Sequence, residues 1–320
     1  MRLQIKSLVA AAAMVFASLT MAGAVDILSV ANIGNNTVTK YDAATGTYQS
    51  TFNSASAAYI AFDSSGNQYV TDYGGNKVRK YDAAGQQIWQ RSEASLLAPL
   101  GIAFDSSGNF WVGNGQGLRY PLSTDQSTGV VNQFDSSGGF LQAFTTDSIR
   151  GILPVNHPVA EGLAFKNNGD LYISLWNRNQ VAKYSGGVLS NFITSGLKSP
   201  SGIAFDSAGY LYVANSGANN IIKFDSSGTA VETISTNLNA PRGIAFDSAG
   251  NLFAANAGNS TISKFDSSGG FLSSISTGVN VPIGIAINSV AVPEPSTYAL
   301  AAIASGVMAA VARRRKARQG

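Results

Sequence analysis

Residues 202–225 read Gly202-Ile203-Ala204-Phe205-Asp206-Ser207-Ala208-Gly209-Tyr210-Leu211-Tyr212-Val213-Ala214-Asn215-Ser216-Gly217-Ala218-Asn219-Asn220-Ile221-Ile222-Lys223-Phe224-Asp225. Three short apolar runs in this stretch are separated by clusters of small and polar turn residues, which is typical of β-strands joined by tight connections. We term these runs strands A (202–206), B (211–215) and C (221–225). A fourth run, strand D, follows another turn at 230–234. The stretch therefore predicts one four-stranded antiparallel unit.

The same unit recurs along the chain. The pentapeptide that begins at Gly202 is repeated at Gly101 and Gly243, and variants of it begin at Tyr59, Gly162 and Gly284. Successive copies start 42, 61, 40, 41 and 41 residues apart, so one unit is about 20 residues longer than the others. Four short strands at a period of about 40 residues are the signature of a β-propeller blade.

The two ends of the repeat region complete each other. Residues 25–50 contain strands B, C and D without a strand A, whereas residues 284–290 contain a strand A alone. Joining them forms a sixth blade and hides the open sheet edges of the ring. We therefore predict an all-β fold, a six-bladed β-propeller over residues 25–290 that is closed by a blade shared between its termini.

The repeat also resembles a known family. Gly-Ile-Ala-Phe-Asp, then Leu-Tyr-Val-Ala-Asn, then Lys-Phe-Asp is similar to the NHL repeat, and the resemblance covers nearly all of 25–290. It implies a propeller fold. It does not imply one function, because NHL propellers include RNA binders, sensor-kinase ectodomains, lyases and surface proteins.

The N-terminal segment has the features of a secretory signal peptide. Arg2 and Lys6 precede an uncharged run from residue 8 to residue 24, which ends in a small-x-small sequence. This arrangement predicts a signal peptide over 1–24 that is cleaved between Ala24 and Val25.

The C-terminal segment, 291–320, has three parts. The motif 292–296 is followed by 16 uncharged residues, 297–312, and by a basic tail, 313–320. In this order they resemble the PEP-CTERM sorting signal, with Val292, Pro293, Glu294 and Pro295 in the motif and Arg313, Arg314 and Arg315 in the tail. The resemblance implies recognition by an exosortase and a temporary membrane helix with its basic end on the cytoplasmic side. It also implies an exported protein, anchored in the inner membrane before processing and then found at the cell surface or in the extracellular matrix.

Charge placement excludes one class of partner. The chain carries 21 Lys and Arg against 18 Asp and Glu, but seven of these bases lie outside residues 25–292, so the propeller region is mildly acidic. A nucleic-acid-binding surface needs an excess of basic residues, so we expect no nucleic-acid partner. The chain has no cysteine, which excludes disulfides and thiolate chemistry.

The antiparallel order of strands divides the connections between two faces. The short A–B and C–D turns lie on one face, the turn face, and the B–C and D–A loops lie on the other, the loop face. Both insertions of the long unit, at 115–129 and 145–160, fall on the loop face, which favours this face as the ligand-binding side. The candidate site residues at the ends of its strands and in its loops are Asp72, Asn114, Arg119, Tyr120, His157, Glu161, Trp176, Arg178, Asn215, Arg242 and Asn256.

Two functions fit these residues. Tyr, Trp and Asn at loop mouths can bind sugars by stacking and amide hydrogen bonds, which favours a non-catalytic envelope protein that binds exopolysaccharide or another envelope protein. PEP-CTERM proteins are associated by family with exopolysaccharide-producing bacteria.

Alternatively, Glu161-Gly162 resembles the first metal-ligand position of gluconolactonase-type propellers, which implies a Ca²⁺- or Mg²⁺-dependent lactonase or hydrolase. The repeat is also similar to that of streptogramin lyases. In the enzyme alternative Glu161 is the proposed metal ligand and no catalytic residue stands out. In the binding hypothesis no cofactor is expected, and the Asp-x-x-Gly segments are ordinary turns.

Overall fold

The propeller region is built entirely from short antiparallel strands. The computed structural model describes residues 25–115, 129–146 and 159–290. Within these ranges 24 strands form six four-stranded sheets, and residues 26–289 form one compact unit. The predicted signal peptide and membrane helix lie outside the described residues.

The strands follow the order predicted from the repeat. The first half contains β1 (Val25–Asn32), β2 (Thr37–Asp42), β3 (Tyr48–Asn53), β4 (Ala57–Phe62), β5 (Gln68–Asp72), β6 (Lys77–Tyr81), β7 (Gln87–Arg91), β8 (Pro99–Phe104), β9 (Phe110–Asn114), β10 (Val130–Phe134), β11 (Phe140–Thr145) and β12 (Ala160–Phe165). The second half contains β13 (Leu171–Leu175), β14 (Gln180–Ser185), β15 (Val188–Ile193), β16 (Pro200–Phe205), β17 (Leu211–Asn215), β18 (Asn220–Phe224), β19 (Ala230–Ile234), β20 (Pro241–Phe246), β21 (Leu252–Asn256), β22 (Thr261–Phe265), β23 (Phe271–Ile275) and β24 (Pro282–Val290).

One blade is shared by the two ends of the propeller. Its strand order is β24-β1-β2-β3, so the last strand supplies strand A for the first three. The predicted closure and blade number are therefore confirmed. Two single-turn 3₁₀ helices, Trp176–Arg178 and Ser216–Ala218, are the only helical elements with defined caps in the described ranges. None of the described helices is long and apolar enough to cross a membrane.

The core lies between neighbouring blades, where the repeat places an aromatic pair at four of the six junctions. Tyr172 of one strand B meets Phe205 of the next strand A edge-on, with ring centroids 5.0 Å apart. Tyr212 and Phe246 repeat this contact at 4.9 Å. Edge-to-face aromatic pairs add to the stabilisation from apolar burial, which explains why both positions of the repeat are aromatic.

The acidic turns are structural. In the turn at Asp63, the carboxylate accepts hydrogen bonds from the backbone N–H groups of Ser65 and Asn67 at 3.0 and 2.9 Å, and Gly66 has φ +78°. The same carboxylate forms an ion pair with Lys80 of strand C at 3.0 Å. Equivalent pairs occur at Lys223–Asp206 and Lys264–Asp247, and Lys183 pairs with Asp170 at the other end of its A–B turn. These Lys–Asp pairs connect strand C to the A–B turn in four of the six blades.

The glycine that opens strand A allows innermost strands to approach each other closely. A Cβ atom on Gly202 would lie 2.5 Å from the carbonyl oxygen of Arg242 and 2.9 Å from the Cα of Gly243, both in the next blade. These are backbone atoms, so a clash there requires the two blades to separate.

Gly202→Ala is expected to destabilise the propeller by about 1–3 kcal/mol, the cost of overpacking a close contact. Urea unfolding measures the change. Gly108→Ala is the control, because nothing lies within 4 Å of its Cβ position and only its φ of +80° opposes the substitution. If Gly202→Ala lost less stability than Gly108→Ala, close contact between blades would not be the reason for a glycine at position 202.

Candidate functional site

The residue directly before the repeated pentapeptide of strand A lies at the loop-face end of the central channel. In three consecutive blades this residue is polar, namely Glu161, Ser201 and Arg242, and in the other three it is apolar. The channel mouth is therefore chemically one-sided, with its polar groups supplied by β12, β16 and β20.

Glu161 is the centre of this polar group. Its side chain is fully buried, and its Oε1 accepts hydrogen bonds from the Ser201 hydroxyl at 2.6 Å and from the Arg242 guanidinium. Burial raises the pKa of Glu161, and the positive charge of Arg242 opposes this shift. The other oxygen, Oε2, is buried and has no hydrogen-bond partner among the described residues. A buried acceptor without a donor is costly and is a common mark of a binding position.

Tyr59 reaches the same cluster from the opposite blade. Its hydroxyl shares a hydrogen bond of 2.9 Å with Ser201 and lies 3.5 Å from Oε1 of Glu161. Burial is the largest cause of its raised pKa, so the hydroxyl keeps its proton. A cavity of about 120 Å³ in the channel is lined by Tyr59, Ile60, Ile102, Gly162, Leu163, Gly202, Ile203, Gly243, Ile244 and Ile285. Tyr59 therefore belongs both to the polar cluster and to the wall of this cavity.

Arg242 connects the buried carboxylate to the surface. Its guanidinium carbon lies 4.1 Å from the centroid of the Trp176 ring, and 22% of its side chain is exposed. Trp176 begins the 3₁₀ turn that follows β13. Stacking and the ion pair together hold the guanidinium in one orientation. The described contacts of the guanidinium with Glu161 use only its Nη1 atom. The Nη2 and Nε atoms therefore remain available as hydrogen-bond donors.

Three candidate asparagines are buried and bonded to the protein itself. The Oδ1 atoms of Asn114, Asn215 and Asn256 accept hydrogen bonds from backbone N–H groups of the D–A loops at 3.2, 2.5 and 3.1 Å. Each strand B asparagine thus fixes the loop that leads into strand A of its blade. These amides therefore contribute to the shape of the loop face.

Asp72 is also engaged within its own blade. Its Oδ2 forms an ion pair with Arg79 at 2.6 Å, and its Oδ1 accepts a hydrogen bond from the N–H of Gly75 at 2.8 Å. The side chain is 2% exposed, so we assign it a structural role.

The structure brings only part of the predicted set together. Glu161, Trp176 and Arg242 form one cluster, and Arg178 lies in the same 3₁₀ turn as Trp176. The candidates Arg119, Tyr120 and His157 lie outside the described residues. Sequence reasoning missed Tyr59 and Ser201. The signal for Tyr59 was present, because it replaces the first glycine of the repeated pentapeptide.

The residues at Glu161 do not fit a divalent cation. A Ca²⁺ or Mg²⁺ site requires several oxygen ligands around one position, whereas the guanidinium of Arg242 already neutralises this carboxylate. Across 25–115, 129–146 and 159–290, no group of three or more His, Asp or Glu side chains is placed to hold a metal ion. The predicted role of Glu161 as a metal ligand therefore has no support in this geometry.

Comparison with known proteins identifies the C-terminal segment. The family of the PEP-CTERM protein-sorting motif matches residues 291–316. The chain carries a PEP-CTERM sorting signal. It is therefore an exported propeller that an exosortase sorts, with a membrane-anchored signal at its C-terminus.

The propeller matches a second family over part of its length. A family described as lactonase, 7-bladed beta-propeller matches residues 177–288, which span about the last three blades. The structure has six blades, so the match reflects the blade and not the size of the ring. The search of curated proteins found no relative.

Solved structures show the same fold at low sequence identity. The nidogen/laminin complex matches with TM-score 0.65 and 17% identity, covering 82% of this chain and 98% of that one. A protein of unknown function from Bacteroides caccae matches with TM-score 0.63 and 14% identity, at coverages of 82% and 98%. A catalytically inactive virginiamycin B lyase from Staphylococcus aureus, in complex with quinupristin, matches with TM-score 0.56 and 15% identity, at coverages of 76% and 78%. These similarities establish the propeller fold alone.

Proposed function

We propose that this PEP-CTERM propeller is a non-catalytic envelope protein that binds a polysaccharide at the mouth of its channel, on the loop face. The observation that carries the proposal is the cluster of Glu161, Arg242 and Trp176. In this cluster a fully buried carboxylate holds a partly exposed guanidinium against an indole ring.

The chemistry of the cluster matches a sugar. Hydroxyl groups of a sugar can accept hydrogen bonds from the unused donors of Arg242, which is the exposed member of the ion pair. Trp176 adds an apolar ring edge and face for the C–H groups of a pyranose. An anionic sugar unit, such as a uronic acid, gains a further charge-assisted hydrogen bond from the guanidinium.

The alternative is a metal-dependent lactonase or hydrolase, or a lyase. It is supported by the partial match to the lactonase family and by the fold shared with the virginiamycin lyase. The pairing of Glu161 with Arg242 favours the binding function, because it occupies the carboxylate that the metal alternative needs.

A two-part experiment tests the proposal. The full chain, purified in detergent, is screened against neutral and acidic bacterial polysaccharides, and its melting temperature is measured with and without saturating Ca²⁺ or Mg²⁺. We expect binding to at least one acidic polysaccharide and no cation-dependent stabilisation. Stabilisation by about 2.7 kcal/mol or more, the value expected at 100 Kd, without glycan binding would overturn the proposal in favour of a metal site. Binding only to an envelope protein would also overturn it.

A further inference from the structure

Two Asn-x-Thr sequences occupy the same place in two neighbouring blades. Asn35-Asn36-Thr37 lies in the B–C loop between β1 and β2, and Asn259-Ser260-Thr261 lies in the B–C loop between β21 and β22. The chain contains no other Asn-x-Ser or Asn-x-Thr sequence. In an exported protein such a sequence is the acceptor for N-linked glycosylation when it lies in a surface loop.

Both acceptor asparagines are exposed in tight turns. Asn35 lies in the turn 33–36 and Asn259 lies in the turn 257–260. In each turn the threonine hydroxyl donates a hydrogen bond to Oδ1 of the asparagine, at 2.7 Å from Thr37 and at 2.8 Å from Thr261. None of the described hydrogen bonds uses the Nδ2 atom of either asparagine. The amide nitrogen therefore faces no competing partner within the described residues.

The buried asparagine of strand B fixes the direction of each threonine bond. Nδ2 of Asn256 donates to Oγ1 of Thr261 at 3.1 Å, and Nδ2 of Asn32 donates to Oγ1 of Thr37 at 3.4 Å. Each threonine hydroxyl accepts a hydrogen bond from the buried side, so its own proton is directed to the exposed asparagine. The arrangement of the acceptor amide is thus the same in both blades.

The fold explains only the middle residue of these sequences. Oδ1 of Asn36 accepts a hydrogen bond from the N–H of Ser56, at the start of the next blade, at 2.8 Å. The equivalent residues of three other blades make the same contact at 2.7 or 2.8 Å, namely Asn76, Asn179 and Asn219. In those three turns the first position is Gly, Arg or Ala and the third is Lys, Gln or Asn. The B–C turn therefore forms without the Asn and Thr that the two sequences share.

We infer that Asn35 and Asn259 are N-glycosylation sites that are modified after export. The co-substrate is a glycan joined to a membrane lipid through a diphosphate. Nδ2 forms a bond to C1 of the first sugar while the C1–O bond to the diphosphate breaks. The lipid diphosphate leaves with the electron pair, and Nδ2 loses one proton to a base of the glycosyltransferase. This inference rests on the sorting signal and the exposed turns, and it does not depend on what the loop face binds.

Peptide mass spectrometry of the full chain, purified from the bacterium that produces it, tests the inference. Trypsin releases Asn35 in the peptide that ends at Lys40, Asn259 in the peptide 243–264 and the control Asn219 in the peptide 199–223. We expect a glycan on the first two peptides, with fragment ions that place it on Asn35 and Asn259, and no glycan on the control. Unmodified Asn35 and Asn259 would overturn the inference, as would a glycan attached only to Ser or Thr.

Threonine variants produced in the same bacterium test whether the Asn-x-Thr sequence is what the transferase recognises. Thr37→Val removes the hydroxyl that contacts Asn35, so the glycan on Asn35 should be lost while the glycan on Asn259 remains. Thr37→Ser keeps a hydroxyl and should keep the glycan on Asn35. The melting temperatures of both variants show that the propeller is folded. A glycan that persists on Asn35 in Thr37→Val would contradict the inference.

Discussion

Replacing Arg242 with methionine is expected to destabilise the propeller by about 3 kcal/mol or more at pH 7, since removing one partner of a buried ion pair leaves an uncompensated charge. Glu161 is fully buried and cannot recover its charge stabilisation from water. A loss of this size lowers the melting temperature by about 2–4 °C per kcal/mol. Thermal unfolding monitored by circular dichroism measures it.

The pH dependence gives this prediction a distinctive signature. Burial raises the pKa of Glu161 in the folded protein above its ordinary value of 4.5. Below the unfolded-state pKa both states bind the proton, so the buried carboxyl carries no penalty. As pH rises above that value the unfolded state ionises first, and the folded state loses stability. The destabilisation by Arg242→Met should therefore be smaller at pH 4 than at pH 7.

Two variants control this experiment. Lys223→Met removes a cation of similar exposure, 17% against 22%, but its partner Asp206 is 16% exposed, so the expected loss is within about 1 kcal/mol. Adding Glu161→Gln to Arg242→Met should recover part of the lost stability, because the buried charge is gone. Equal effects of Arg242→Met and Lys223→Met would show that the pair at the channel mouth is not a buried ion pair.

Removing the side chain of Tyr59 is expected to have the other large effect. Tyr59→Ala deletes a buried ring that lines the channel cavity, and truncation of a buried aromatic residue costs about 3–5 kcal/mol. Tyr59→Phe keeps the ring but removes the hydroxyl that contacts Ser201, so a loss of about 1–2 kcal/mol is expected. Urea unfolding of both variants measures these values.

The control for Tyr59 is an exposed tyrosine. Tyr210 is 36% exposed on the turn face, and Tyr210→Ala should change stability by no more than about 0.5 kcal/mol. If Tyr59→Ala were as well tolerated as Tyr210→Ala, the Tyr59 ring would not be packed in the channel in solution.

The blade architecture could be predicted because each unit repeats its own local information. Strand A carries a glycine where the next blade approaches within clash distance, and strand B carries an aromatic residue that packs on the next strand A. These requirements recur in most blades, so a single sequence contains several copies of the same evidence. The shared blade followed from what each end lacked.

The site was predicted only in part, because it depends on distances across the ring. Tyr59 and Ser201 are 142 residues apart in the chain, and their contact requires the curvature that places their blades opposite each other. The asparagines at strand B ends were assigned to the right face, yet their amides bond to loop backbone. That outcome depends on loop conformations such as the positive φ of Ala98, Ser199 and Ala240, which residue types alone do not reveal.

If the channel mouth binds the polysaccharide, replacing an aromatic residue at the mouth should weaken binding, and replacing one on the turn face should not. Isothermal titration calorimetry measures the affinity of the parent, Trp176→Ala and Tyr210→Ala proteins for the acidic polysaccharide that binds most tightly in the screen. Trp176 lies on the loop face and Tyr210 lies on the turn face. We expect Trp176→Ala to weaken binding by at least about tenfold, or about 1.4 kcal/mol, and Tyr210→Ala to leave it unchanged. Unchanged affinity in Trp176→Ala, or an equal loss in both variants, would contradict the account.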